Sequence, residues 1–131
     1  METKELQHLF QAHYAFNGRE WPEVDCWGFI EEIFRLKGIA FGFTPKERER
    51  MNYGKDFSAA LPCLQEVPAP QEGGLFGIFK NKNFRHAGYC ISSESLIHLA
   101  HSGPKLTNPQ KLSRLFELRY FVIKDAYLLE P

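Results

Sequence analysis

Three side chains stand at spacings that can carry covalent chemistry. Cys26 lies in Asp25-Cys26-Trp27-Gly28-Phe29, where a helix should begin. His86 follows sixty residues later in His86-Ala87-Gly88-Tyr89, and His98 lies twelve residues beyond it. A thiol, a base and a group that orients the base form a nucleophilic site for attack on a carbonyl. A thiol is a useful nucleophile only as thiolate, and the free N–H groups and dipole of a helix start favour that anion. Asp25 pulls the other way, but its carboxylate is expected to be spent on capping the helix. Gly28 is expected to leave the thiol side uncrowded. Each residue alone has a plainer explanation. A helical cysteine is usually packing, and a strand histidine is usually a hydrogen-bonded surface or core residue. Cys63, Cys90, His8 and His13 are left with that explanation.

The elements that must position these residues follow from periodicity. Residues 4–16 read as a helix, because Leu6, Leu9, Phe10, His13 and Tyr14 recur at helical spacing. Gly18 ends it, and Trp21-Pro22 falls in a loop. A second helix runs from about 25 to 37, capped by Asp25, with Phe29, Ile30, Ile33 and Phe34 as its buried stripe and Gly38 as its stop. Thr44-Pro45-Lys46-Glu47 is a capping box that starts a third helix toward Ala60. Pro68, Pro70, Gly73 and Gly74 mark residues 65–74 as a loop. Strands are predicted over 75–80, 85–91, 95–100, 119–123 and 127–129, with a short helix over 112–116 and a connection punctuated by Gly103-Pro104 and Asn108-Pro109. Helices first and an antiparallel sheet second describe an α+β domain. A turn at 92–94 would set Ile91 opposite Ser95 and His86 opposite Ala100, with His98 diagonal to His86 on the same face. A turn one residue longer would bring His101 opposite His86 instead, and the shorter turn is the commoner type.

Composition narrows the function. The chain has 131 residues, 44% of them hydrophobic, with 16 basic and 16 acidic side chains and no net charge. That suits one domain over 1–131 with its own core. No basic stripe suggests nucleic acid, and no run of about 18 apolar residues suggests a membrane span. The start, Met1-Glu2-Thr3-Lys4-Glu5, lacks the order of a secretory signal, so the chain is expected to be cytoplasmic as synthesised. Three cysteines without a CxxC pair favour neither a disulfide framework nor structural zinc. A metal site from His86, His98, His101 and Cys26 lacks supporting acidic or paired-ligand spacing, and no cofactor is implied.

Asp-Cys-x-Gly-Phe at a helix start, His-x-Gly-Tyr on a strand and then Leu96-Ile97-His98-Leu99-Ala100 together resemble the NlpC-type cysteine peptidases, papain-like bacterial cell-wall hydrolases. Trp27 after the cysteine resembles the branch found in phage tail proteins. The resemblance covers roughly residues 10–129 and is weakest in the middle third. It implies Cys26 as nucleophile, His86 as base, His98 as the residue holding the His86 ring, and Tyr14 as an oxyanion donor beside the Cys26 N–H. It implies a peptidoglycan stem peptide as substrate, commonly cut between D-glutamate and a diamino acid, while the lack of a secretory signal fits delivery by a phage tail or secretion assembly. Glu72-Gly73-Gly74 departs from the family's Pro-Gly-Asp-like turn, and Gly18 alone remains of its glycine-rich approach to the cysteine. Residues 41–70 have no strong match. Two other readings stay open: a thiol amidase or acyltransferase with another substrate, and a non-catalytic assembly module.

Overall fold

The computed structural model describes residues 1–39 and 63–124. The helix expected to start at Thr44 and the strand expected at 127–129 lie outside the described residues. Helix α1 spans Thr3–Leu9, so the helix expected over 4–16 is half that length. His13–Tyr14 is instead strand β1. The helical spacing of His13 and Tyr14 is overridden because both pair with β3, Glu23–Val24, just before the cysteine. Strand β2, Arg19–Glu20, turns into β3 through Trp21-Pro22, and the three strands order as β1-β3-β2. β1 runs parallel to β3, and β2 antiparallel to it.

Helix α2 spans Cys26–Leu36. Gly38, at φ 71°, ends it in the left-handed conformation. The Ile39 N–H reaches the Phe34 carbonyl and the Gly38 N–H the Arg35 carbonyl, which satisfies acceptors the helix leaves free. On its outer side Glu32 holds α1 to α2: it accepts from both Arg35 nitrogens at 2.7 Å and pairs with His8 Nε2 at 2.5 Å.

The second sheet has six strands: β4 (Leu64–Val67), β5 (Leu75–Lys80), β6 (Asn83–Cys90), β7 (Leu96–Ala100), β8 (Gly103–Thr107) and β9 (Glu117–Ile123), ordered β4-β9-β5-β6-β7-β8 with every neighbouring pair antiparallel. Helix α3, Pro109–Ser113, links β8 to β9. Two of these strands correct the sequence reading. β4 occupies the start of the stretch read as loop, because Leu64 to Val67 pair with β9 before Pro68. β8 replaces part of the connection after Ala100; Pro104 is tolerated because β8 is an edge strand. α3 lies three residues earlier than the helix expected over 112–116, with Asn108 as its cap and Pro109 in its first turn.

Alternation divides the sheet into two faces. Leu75, Phe79, Ala87, Tyr89, Ile97, Leu99 and Phe121 pack in one cluster with Phe29, Ile30, Ile33 and Phe34 of α2. On the other face Phe76, Ile78, Cys90, Leu96 and Leu112 form a second cluster. The β5–β6 hairpin turns on Asn81 and Lys82, at φ 51° and 67°. Asparagine tolerates that region, whereas lysine is strained there. Lys82→Gly is therefore expected to stabilise the protein by about 0.5–1 kcal/mol, read as a rise in the urea midpoint at unchanged slope.

Candidate active site

Cys26 is the first residue of α2, and three contacts fix that helix start. The Asp25 carboxylate accepts from the Gly28 N–H at 2.8 Å, the Asp25 N–H donates to the Gly18 carbonyl at 2.9 Å, and the Arg19 Nε donates to both Asp25 oxygens at 3.0 and 3.3 Å. Gly28 faces away from the expected role of freeing the thiol. A Cβ there would lie 2.8 Å from the Gly18 carbonyl and 2.9 Å from Val24, so the missing side chain is what lets the β2 turn close on the helix.

The β6–β7 ladder pairs only Cys90 with Leu96 and Tyr89 with Ile97, while β7 pairs with β8 along its whole length. The turn is the shorter one: the Ile91 N–H donates to the Ser95 carbonyl at 2.9 Å, and Ser92 Oγ accepts from the Ser95 N–H. Beyond the two ladder pairs, His86 of β6 and His98 of β7 meet through their rings. His86 Nε2 and His98 Nδ1 are 2.9 Å apart, with ring centroids at 5.0 Å. His98 also stands edge-on to the buried Phe76 ring. His101 packs instead against Tyr14, with the rings tilted by 36° and centroids at 4.2 Å.

Tyr14, His86, His98 and His101 line one cleft of about 330 Å³, together with Arg85, Ile78, Leu112 and Phe116. Successive strand residues normally point to opposite faces. Arg85 and His86 share the cleft at a β-bulge, where Ile78 pairs with His86 but Phe79 already pairs with Phe84. Among the described residues lining the cleft none is acidic.

Cys26 is only 1% exposed and does not line that cleft. Its thiol lies against the backbone N–H of Ala87, the residue after His86. Among the described residues no hydrogen bond joins the sulfur to the His86 ring. The expectation of a thiol acidified by the helix start is overturned in this resting arrangement. Burial pushes the thiol up to about 12 and the Asp25 charge adds to the effect, against the Ala87 and Trp27 N–H groups and Arg19. Loss of water around the anion outweighs the helix terminus. Burial also holds His86 down to about 3, helped by His98 and His101, and lowers His98, helped by Lys105. Thiol and imidazoles are thus all neutral at pH 7. The Asp25 carboxyl is raised by burial, against the lowering effect of the Gly28 N–H, Arg19 and the Trp27 N–H.

These histidines couple stability to acid. The unfolded chain takes a proton on each near pH 6.5, whereas folded His86 refuses one until about pH 3. Their contribution to stability is complete above about pH 6.5 and is lost as pH falls through that window. Glu5, Glu32 and Glu66 are lowered, so their losses begin only below about 4.5. Asp25, being raised, acts in the opposite sense. Urea midpoints measured from pH 7 to 4.5 are expected to fall, and His86→Gln is expected to flatten that fall. An equal slope in the variant would show that the ring is protonated freely in the folded state.

Cys63 and Cys90 are buried and, like Cys26, free of disulfides. Cys90 packs in the second core, and its burial raises its thiol to about 12. The described residues hold no group of three or more metal-ligating side chains, and no helix among them is long and apolar enough to cross a membrane. Arg19 was not legible in the sequence as a site residue. Only the two-residue hairpin β2–β3 brings it back onto Asp25.

The class of protein is now defined: an α+β domain with a cysteine at a helix start beside a histidine pair on neighbouring strands. The chain belongs to the NlpC/P60 family, whose model matches residues 11–123. That family consists in general of cysteine peptidases and related hydrolases acting on the cell wall. Comparison with curated protein sequences gave no match.

Proposed function

We propose that this protein is a papain-like cysteine peptidase that cuts an amide bond in peptidoglycan stem peptides, between D-glutamate and a diamino acid. The observation that carries the reading is the His86–His98 bond in a cleft shared with Tyr14, one residue away from the N–H that touches the Cys26 thiol. If His86 Nε2–H donates to His98 Nδ1, His86 Nδ1 is left unprotonated as the base. It takes the Cys26 proton as sulfur bonds to the carbonyl carbon. The Cys26 N–H and the Tyr14 hydroxyl receive the oxyanion. The protonated imidazole then gives its proton to the departing amine, the C–N bond breaks, and a thioester remains. Water attacks the thioester with His86 as base, and the acid product and thiol are released. Arg85 and the absence of acidic lining suit a peptide bearing free carboxylates. Entry of such a peptide must uncover the sulfur, which is only 1% exposed at rest. Carriage by a phage tail belongs to this reading and is supported by Trp27 after the cysteine.

The test is incubation of the purified protein with isolated wall fragments, following new amino groups and the masses of released peptides. Cleavage at the D-glutamyl bond is expected. Intact fragments alongside turnover of a simple thioester or amide probe would move the chemistry to another amidase or acyltransferase substrate. A second reading, a non-catalytic assembly module, is favoured by one observation, the covered neutral thiol. It is adopted if neither fragments nor probes turn over.

A further inference from the structure

Arg19 and Asp25 form a buried ion pair immediately next to the thiol. Their side chains are 9% and 0% exposed. A charge pair so deep is costly to assemble unless further donors complete it, and here the Gly28 N–H does so. The helix needs an acceptor at position 25, but the acceptor present carries a negative charge beside a group that must itself become negative. Asparagine would cap as well without that charge. The guanidinium, brought in by the β2 turn, lies where it offsets the Asp25 charge.

We infer that Arg19 is a positioning residue of the nucleophile: it neutralises Asp25, so that the carboxylate can cap α2 and hold the β2 turn without repelling a thiolate at Cys26. The inference rests on Cys26 being the nucleophile of the proposed peptidase. Among the described residues, the charges of Asp25 and Arg19 act on Cys26. On the β6 side it meets the Ala87 N–H, and the His86 ring next to it is neutral at pH 7. Asp25 raises the thiol and Arg19 lowers it.

The experiment is alkylation of the full chain by iodoacetamide from pH 6 to 9.5, with Cys26 followed by mass mapping so that Cys63 and Cys90 are scored separately. Arg19→Gln is expected to slow modification of Cys26 about tenfold at fixed pH, which is one unit of displacement in the profile. Arg19→Lys should recover part of the rate. Arg19→Gln combined with Asp25→Asn should return to the parent rate, because the cap acceptor stays while the unbalanced charge goes. A merely structural Arg19 gives the opposite sign, since loosening the helix start would expose the thiol and speed its modification. Arg19→Gln at parent rate or faster, or a double variant as slow as the single, overturns the inference. If Arg19→Gln does not fold, Asp25→Asn alone decides: modification faster than the parent at an unchanged urea midpoint supports the inference, and an equal or slower rate, or a faster one with a lowered midpoint, overturns it. The readout needs no substrate, so these outcomes are independent of whether wall fragments are cleaved.

Discussion

Cys26→Ala is expected to reduce cleavage of wall fragments by about 10⁴-fold or more, with the loss in kcat, while costing only about 1 kcal/mol of stability. The separation follows from the two roles of the side chain. As a packing group it is a small buried hydrophobe that alanine nearly replaces. As the proposed nucleophile it opens α2, whereas Cys90 lies within β6 and packs in the second core. His86→Ala should produce a comparable loss. His98→Ala should be milder, about 10–100-fold, since His98 holds a ring that can still visit its working orientation. Initial rates with isolated wall fragments and urea titrations of the same samples provide the check. Full activity in Cys26→Ala would remove it as nucleophile, whatever the state of the histidines.

Gly88→Ala is expected to cost about 3 kcal/mol, at the upper end of what overpacking a core produces. A Cβ at Gly88 would stand 2.2 and 2.3 Å from two carbons of the Phe76 ring and 2.8 Å from the Ile97 carbonyl. Phe76 is 1% exposed, so its ring cannot swing out into water without opening the second core. The ring is also the edge-on partner of His98, and forcing it aside disturbs the histidine pair. Gly88→Ala should therefore depress kcat even in the fraction that remains folded. Phe76→Leu in the same chain should restore part of the stability by vacating the ring's space. Chemical denaturation of the single and double variants measures both effects. An unperturbed midpoint for Gly88→Ala would mean that β6 and β5 can move apart there at little cost.

How far the sequence could be read depends on how local the controlling physics is. Helix α2 was legible to within a residue at each end, because Asp25, the apolar stripe and Gly38 act over one or two turns. The β6–β7 turn was legible as well, and with it the meeting of His86 and His98, because a hairpin register is set by its loop. The stretch from Phe10 to Val24 was not. Its strands are two residues long, and Tyr14 sits on β1 only because β3 offers it a parallel partner. For the same reason Arg19 gave no signal: its purpose is defined by a carboxylate six residues on, across a turn. β4 and β8 were missed because prolines and glycines flank or enter them, which marks sheet margins as readily as loops. The thiol's ionisation was misjudged for a different cause. The helix start is encoded locally, whereas the exclusion of water at Cys26 depends on everything folded around it.

Pro104 has a bearing on solubility. Unpaired peptide groups along a sheet margin invite a second molecule to add its own strand and so start a growing aggregate. β8 forms one such margin, and there Pro104 withholds a donor while the adjacent Lys105 adds a charge. Two small chemical choices thus make this border a poor template for self-propagation.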